Sequence, residues 1–248
     1  MSSHYRSIKS AERTLALVEL YARHELGLGV GEVADLLDMP QASASMLLRN
    51  LKELGFLRYE NVGRRYVPTL RMMLLGGGGS YRIPQFSTLI DRLHALREEC
   101  ACERAFISMQ NGAAIQHILM LVGDHRTDGG GARSLIATAS GRMLLSTKKD
   151  AEIATWVRRS EAECATRRRI SSVRLGDFLR GISEIRRLGY AVNAGDTDPE
   201  LGAVTVVLDS IPGHDPIVLG LASRIDTMRR RETLIADRLR HIQDGIAA

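Results

Sequence analysis

Apolar positions recur over residues 7–23 at Ile8, Ala11, Leu15, Val18 and Ala22. Their spacing of three and four predicts an amphipathic helix with that stripe facing inward. Ser7 and Ser10 are candidate N-caps, and Gly27-Leu28-Gly29 ends the helix. A short helix is predicted over Glu32–Leu37, burying Val33, Leu36 and Leu37. Asp38-Met39-Pro40 forms a turn, and proline suits the first turn of a helix. The next helix is predicted over Gln41–Leu54, with Ala44, Leu47, Leu48, Leu51 and Leu54 inward and Gly55 as its stop. Phe56–Tyr59 and Arg65–Pro68 read as two strands around Asn61-Val62-Gly63, a hairpin signal. Four consecutive glycines, Gly76–Gly79, followed by Ser80, then break the pattern. Such a run opposes helix and favours a joint. The organisation expected is therefore residues 1–75, a Gly-rich linker over 76–85, and a second domain over 86–248.

The second domain mixes periods. Helices are predicted over Phe86–Ala101, Thr138–Ser146, Asp150–Trp156, Leu175–Leu188 and Thr227–Ile246. Strands are predicted over Arg104–Met109, Ala114–Leu121, Tyr190–Asn193, Ala203–Leu208 and Pro216–Ala222. Hairpin-like pairs and irregular alternation indicate an α+β architecture, an antiparallel sheet flanked by helices.

Composition narrows the class. The 248 residues are 44% hydrophobic and 25% charged, which excludes a mainly disordered or collagenous chain. No apolar run approaches a membrane span, and the first fourteen residues lack the apolar core of a secretory signal. Three cysteines form no disulfide framework, so a cytoplasmic setting is expected. The net charge is +5, and of 34 basic residues only Lys9, Lys52, Lys148 and Lys149 are lysines. Arginine favours bidentate contacts to phosphate and carboxylate, although coding bias produces the same excess. Residues 1–75 carry ten basic and eight acidic side chains, so an anionic partner requires a local arrangement.

Helix, short helix, turn, longer helix and hairpin is the order of a winged helix-turn-helix. Ala34, Leu37, Ala44 and Leu48 supply the small and branched groups that steeply packed helices need. The leading end of the third helix carries Gln41, Ala42, Ser43 and Ser45, slim enough to enter a major groove. Arg49 lies about one turn further along. Arg58, Arg64 and Arg65 place three cations on the wing, suited to phosphates or a minor groove. These eight residues are the candidate contacts to double-stranded DNA.

The run from Ser10-Ala11-Glu12-Arg13 through Glu32-Val33-Ala34, Met39-Pro40, Leu47-Leu48, Leu51 and Gly55-Phe56-Leu57 resembles the winged helix of the IclR family of bacterial transcriptional regulators. Tyr66, Leu70, Leu74 and Gly76 continue the likeness. Downstream, Ile136–Leu145 resembles that family's "H-A-T-A-x-G-K-A-L-L" segment, and Ile185–Asn193 its "R-x-x-G-Y-A-x-D" segment. The resemblance implies a C-terminal GAF-like α/β effector-binding domain, a homodimer or tetramer, and control by a small, usually carboxylate, metabolite. The residues themselves offer no defensible catalytic pair, so no enzyme activity, no cofactor and no membrane partner are expected. The resemblance places effector binding at Ala139, Ser140 and Gly141 and at Asn193, Ala203, Gly220 and Ala222.

The chain departs from the family in three places. After Pro40 the family's lysine and arginine positions are Gln41 and Met46. Asn193, Ala203, Gly220 and Ala222 stand where the family's pocket carries Asp, Cys and two Ser. Losing those polar groups leaves a simple carboxylate poorly paired, so a larger or more apolar effector is expected. The glycines and Pro84 are expected to soften the joint between domains. Two alternatives remain open at this stage. One is a ligand-independent regulator whose second domain only oligomerises. The other is a small-molecule binding module with a vestigial winged helix.

Other chemistry is weaker. Cys100 and Cys102 with His94 lack zinc-ligand spacing, so no metal is expected. His117, His125 and His214 have no nucleophile partner at a recognisable elbow. Arg167–Arg169 and Arg229–Arg231 read as solvated faces.

Overall fold

A computed structural model describes residues 8–21, 24, 26–75, 84–127, 131–165, 174–195, 198–208 and 215–247. The chain is α+β and divides into two compact units, Met1–Ile83 and Pro84–Ala248. Gly76–Gly79, Arg167–Arg169 and His214 lie outside the described residues, as do Ser7 and Ala22.

The first unit contains helices α1 (Lys9–Tyr21), α2 (Val30–Leu36) and α3 (Gln41–Glu53), strands β1 (Leu57–Glu60) and β2 (Arg65–Pro68), and α4 (Leu70–Leu75). β1 and β2 pair antiparallel from Leu57↔Pro68 to Glu60↔Arg65. The core joins Leu17 and Tyr21 of α1, Val33 and Ala34 of α2, Ala44, Leu48 and Leu51 of α3, and Leu57 and Tyr66 of the hairpin. The inward face of α1 differs from the expected stripe. Leu17 and Tyr21 are fully buried, whereas Ile8 and Leu15 are 68% and 65% exposed. The helix turns toward its aromatic residue because Tyr21 has both a large ring to bury and a partner for its hydroxyl. Tyr21 Oη donates to the Tyr66 carbonyl over 2.9 Å. Ser10 lies within α1 rather than capping it. Leu36 and Leu54 are exposed rather than inward, since each falls at the last turn of its helix.

Tyr66 also closes an isolated bridge with Leu28. The Leu28 N–H donates to the Tyr66 carbonyl over 3.0 Å, and the Tyr66 N–H to the Leu28 carbonyl over 2.8 Å. Gly27 makes this approach possible. Its φ is +81°, and a side chain there would collide with the Tyr66 carbonyl and Val67.

The second unit begins with α5 (Pro84–Glu99) and continues through strands β3 (Arg104–Asn111), β4 (Ala114–Val122), β5 (His125–Thr127) and β6 (Arg133–Ser134). Helices α6 (Ala139–Ser146), α7 (Asp150–Ala165) and α8 (Leu175–Leu188) follow, then β7 (Ala191–Ala194), β8 (Leu201–Leu208), β9 (Ile217–Arg224) and α9 (Ile225–Ala247). The sheet has order β5-β4-β3-β9-β8-β7, with β6 also on β4. Each pairing is antiparallel. The two shortest strands escaped the sequence pattern because two or three residues carry no period. α7 outruns its expected end at Trp156, adding the buried Val157 before a charged stretch.

Helices cover both sheet faces. Val207 and Val218 point into the core formed with α6, α7 and α8. Gly202, of opposite parity on β8, faces Met228 of α9. Gly141 lets α6 approach the chain before it, because a methyl there would overlap the Leu135 backbone.

Tyr21→Phe should cost the N-terminal unit about 1 kcal/mol, read as about fivefold faster exchange of the slowest α3 amides in the intact chain.

Candidate nucleic-acid interface and effector-binding face

Ala44, Leu48 and Leu51 fix which side of α3 is inward. The opposite side carries Ala42, Met46, Arg49 and Glu53, all exposed. Gln41 is exposed at the leading end, while Ser43 and Ser45 flank this face half-buried. Arg49 makes no side-chain hydrogen bond or ion pair among the described residues. The centre of the exposed side of the helix is therefore Ala42–Met46–Arg49. Met46 carries no polar signal, and the sequence pattern did not single it out. Its position opposite the buried stripe could have done so.

The three wing cations have different surroundings. Arg65 donates to the Gly27 carbonyl over 2.7 Å and to the Glu32 carboxylate over 2.9 Å. Glu32 accepts the Gly29 N–H over 2.7 Å as well. That amide, and then Arg65, hold the Glu32 carboxyl below the usual carboxylate range. Arg65 is thus a brace between wing and α2. Arg58 pairs with Glu60 at 2.7 Å. Arg64 is exposed in the wing turn at φ +52°, with no side-chain partner among the described residues.

In the second unit, the positions tied to effector binding by resemblance fall on one face. Asn193 opposes Ala203, Ala203 opposes Ala222, and Ala222 opposes Arg104, a single row across four strands. In the next row Thr205 opposes Gly220, and Gly220 opposes Phe106. Gly220 makes room for the Phe106 ring, which occupies the space a side chain at 220 would need. α6 packs across β7, β8 and β9 with Ala139, Ser140 and Gly141 buried at its start. Thr138 caps it, accepting the Gly141 N–H over 3.1 Å. Arg142 donates to the Val192 carbonyl over 2.9 Å, holding α6 to β7.

The same face holds groups that sequence reading missed. Arg104 is half-buried and has no side-chain partner among the described residues. Ser108 Oγ and His117 Nδ1 share a 2.7 Å hydrogen bond, both residues being buried. The imidazole lies 4.6 Å from the Phe106 ring, centroid to centroid. Strand alternation in Arg104-Ala105-Phe106-Ile107-Ser108 was the available signal.

Cys100 and Cys102 are buried and unpaired, and burial pushes the Cys102 thiol up to about 11. His94 instead approaches Glu98 and Asp124, with ligand-capable atoms within 4.8 Å of one another. Arg97 also pairs with Glu98, at 3.5 Å, and the two carboxylates are exposed, so the group reads as a solvated charge network.

Burial, followed by the nearby Arg133 charge, pushes His117 down to about 4. The folded unit therefore holds a neutral imidazole that the unfolded chain, at about 6.5, protonates more readily. This contribution is present above pH 6.5 and is lost as pH falls toward 4. The stability of the second unit should fall across that window, and His117→Gln should flatten the dependence in thermal melts run from pH 4 to 7.

Residues 10–61 match the family model described as IclR helix-turn-helix domain. Residues 99–240 match that of Bacterial transcriptional regulator IclR C-terminal. The glycerol operon regulatory protein of Streptomyces coelicolor is 23% identical, over 96% of this chain and 94% of its own. The protein of that name from Streptomyces griseus is 29% identical over 56% of each chain. Among solved structures, an IclR family regulator from Brucella abortus aligns over 100% of this chain and 94% of its own, at TM-score 0.56 and 16% identity. The effector domain of the putative regulator IclR from Acinetobacter sp. ADP1 aligns over 66% of this chain and 96% of its own, at TM-score 0.58 and 21% identity. These relatives are regulators rather than enzymes, and among the described residues no helix is long and apolar enough to cross a membrane. With a helix-turn-helix unit followed by a C-terminal effector domain, the chain belongs to the IclR family of bacterial transcriptional regulators.

Proposed function

We propose that two copies of this chain bind a twofold-symmetric operator in double-stranded DNA, and that an anionic effector with a substantial apolar body tunes that binding. The observation that carries the DNA reading is a pair of cations with no side-chain partner among the described residues, Arg49 on the exposed side of α3 and Arg64 on the wing. One sits where a helix meets base edges and phosphates, the other where a wing meets the backbone. Gln41, Ala42, Ser43 and Ser45 lead the helix into the major groove. Arg58 adds charge beside Arg64, and Arg65 holds the wing in place through Glu32. Ala11 and Leu15 of α1, with Ile8 just before it, form an exposed apolar row, on which this reading places the pairing of two chains.

For the effector, Asn193, Ala203, Gly220 and Ala222 supply little polarity, and Phe106 and Met120 add apolar wall. Arg104 supplies the charge. It lies in the row of Ala222, Ala203 and Asn193, and a half-buried guanidinium with no side-chain partner among the described residues favours a carboxylate or phosphate. Ala139, Ser140 and Gly141 close the face from α6. Effector binding acts by favouring one arrangement of the dimer over another. The names of the Streptomyces relatives make glycerol one compound to include in a ligand screen.

A footprint on duplex selected from a random pool, at two salt concentrations, tests the DNA reading. The expected result is a symmetric protected site whose log affinity falls with log salt by roughly 0.9 per phosphate neutralised. Arg64→Ala should weaken all sequences alike and lower that slope by about one per contact. A salt-insensitive signal, or none, would sink the assignment. Arg104→Ala should leave DNA binding by the ligand-free protein intact and abolish its response to an acidic effector found by thermal-shift screening. An unchanged response would remove Arg104 from the site.

A further inference from the structure

Met46 is 73% exposed on the side of α3 opposite its buried stripe. Neither the core nor the hairpin uses it, and it stands on the side of α3 that the DNA-binding reading turns to the groove. Ala42 lies one turn before it, so a methyl and a thioether sit side by side at the middle of the groove-facing surface. Gln41 precedes them at the leading end. The cation nearest this pair is Arg49, almost a full turn further along.

The major groove offers one apolar group to such a surface, the C5-methyl of thymine. Guanine is best read by a bidentate arginine or lysine, and neither residue type is present at positions 41–46. Glutamine pairs bidentately with adenine. Gln41, Ala42 and Met46 together therefore suit A·T pairs. Methionine adapts to either strand's methyl, because its unbranched chain has several low-energy rotamers.

We propose that Met46, supported by Ala42, reads thymine methyl groups in the major groove, so that each half-site is specified by T·A pairs opposite the first turns of α3. This rests on the DNA-binding reading above. The contact is hydrophobic and carries no charge, so it contributes sequence preference without contributing to the salt slope.

Uracil interference on the selected duplex tests it with the full-length protein. Deoxyuridine removes the methyl and keeps the base pair. Wild type should discriminate against uracil at one or two positions per half-site, by about fourfold for each methyl it buries. Met46→Ala should bind thymine and uracil duplexes equally, with an unchanged salt slope. Met46→Leu should retain most of the discrimination. Met46 is exposed, so both variants should fold, and unchanged melting curves verify this. Equal binding of thymine and uracil duplexes by wild type overturns the proposal while leaving the salt-dependent footprint, and hence the DNA reading, in place. Full discrimination by Met46→Ala overturns it likewise. So does a Met46→Ala effect on self-association, seen by sedimentation, in place of one on uracil discrimination. Absence of any footprint overturns both readings together.

Discussion

The geometry of the N-terminal unit converges on the backbone of Tyr66. Its carbonyl accepts from the Tyr21 hydroxyl and from the Leu28 amide, and its own amide donates back to Leu28. One residue of β2 thereby holds the end of α1, the segment leading into α2, and the wing. Each bond is worth only about 1 kcal/mol net, but a buried carbonyl or hydroxyl left without its partner costs more than the bond returns. The Arg65–Glu32 brace adds a second tie one residue along. Exposed ion pairs contribute little alone. This one gains from its geometry, since Glu32 is already fixed by the Gly29 amide and Arg65 by the Gly27 carbonyl. The orientation of α3 relative to the wing follows from these ties and from the shared core.

A different constraint shapes the second unit. Close approach of α6 to the Leu135 backbone before it needs a glycine at 141, and the Phe106 ring needs one at 220. The second exchange matters for recognition. A hydroxyl offered from position 220 would bond a ligand oxygen, whereas the aromatic ring now there offers area and a quadrupole. Polarity on this face has moved to Arg104 at one end and to the Ser108–His117 pair at the other. The buried imidazole is neutral at physiological pH, so it contributes a hydrogen-bonding edge and no charge. The effector proposed for this face carries its charge near Arg104 and its apolar bulk over Phe106.

Much of the fold was legible in the sequence, because helices such as Leu175–Leu188 and strands such as Ala203–Leu208 have strong periods. The failures share a cause. In α1 a stripe of aliphatic residues was read as inward, but Tyr21 and Leu17 won the core, since one aromatic ring with a satisfied hydroxyl outweighs several small side chains. The candidate DNA contacts were legible as a group but not in their roles. Nothing in Arg58, Arg64 and Arg65 as a sequence says which of them meets Glu32. That depends on a tertiary contact 33 residues away. Met46 was overlooked because it has no polar chemistry, and its orientation is a property of the folded helix. The effector face came from resemblance alone. Arg104 and Phe106 lie on it only through strand register, which pairs residues more than a hundred positions apart.

The distribution of free charge constrains how the protein selects its target. Among the cations of α3 and the hairpin, Lys52 meets Glu53, Arg58 meets Glu60, and Arg65 is committed to Glu32 and Gly27. The Arg58–Glu60 pair is partly exposed, and such a pair contributes less than about 1 kcal/mol. Arg65 has more to lose, since it would give up a carbonyl and a braced carboxylate together. Arg49 and Arg64 are then the two cations of α3 and the hairpin that have no side-chain partner among the described residues. Two phosphate contacts give weak, sequence-blind binding that physiological salt largely suppresses. Under the DNA-binding reading proposed above, useful affinity requires that two units act together, so that the second binds at the high effective concentration set by the first. It also requires that uncharged groups on α3 supply the remaining free energy. Under the proposal that Met46 reads thymine methyls, such a protein gains little from DNA in general, and its discrimination between sites rests on the shape and methyl pattern of the groove.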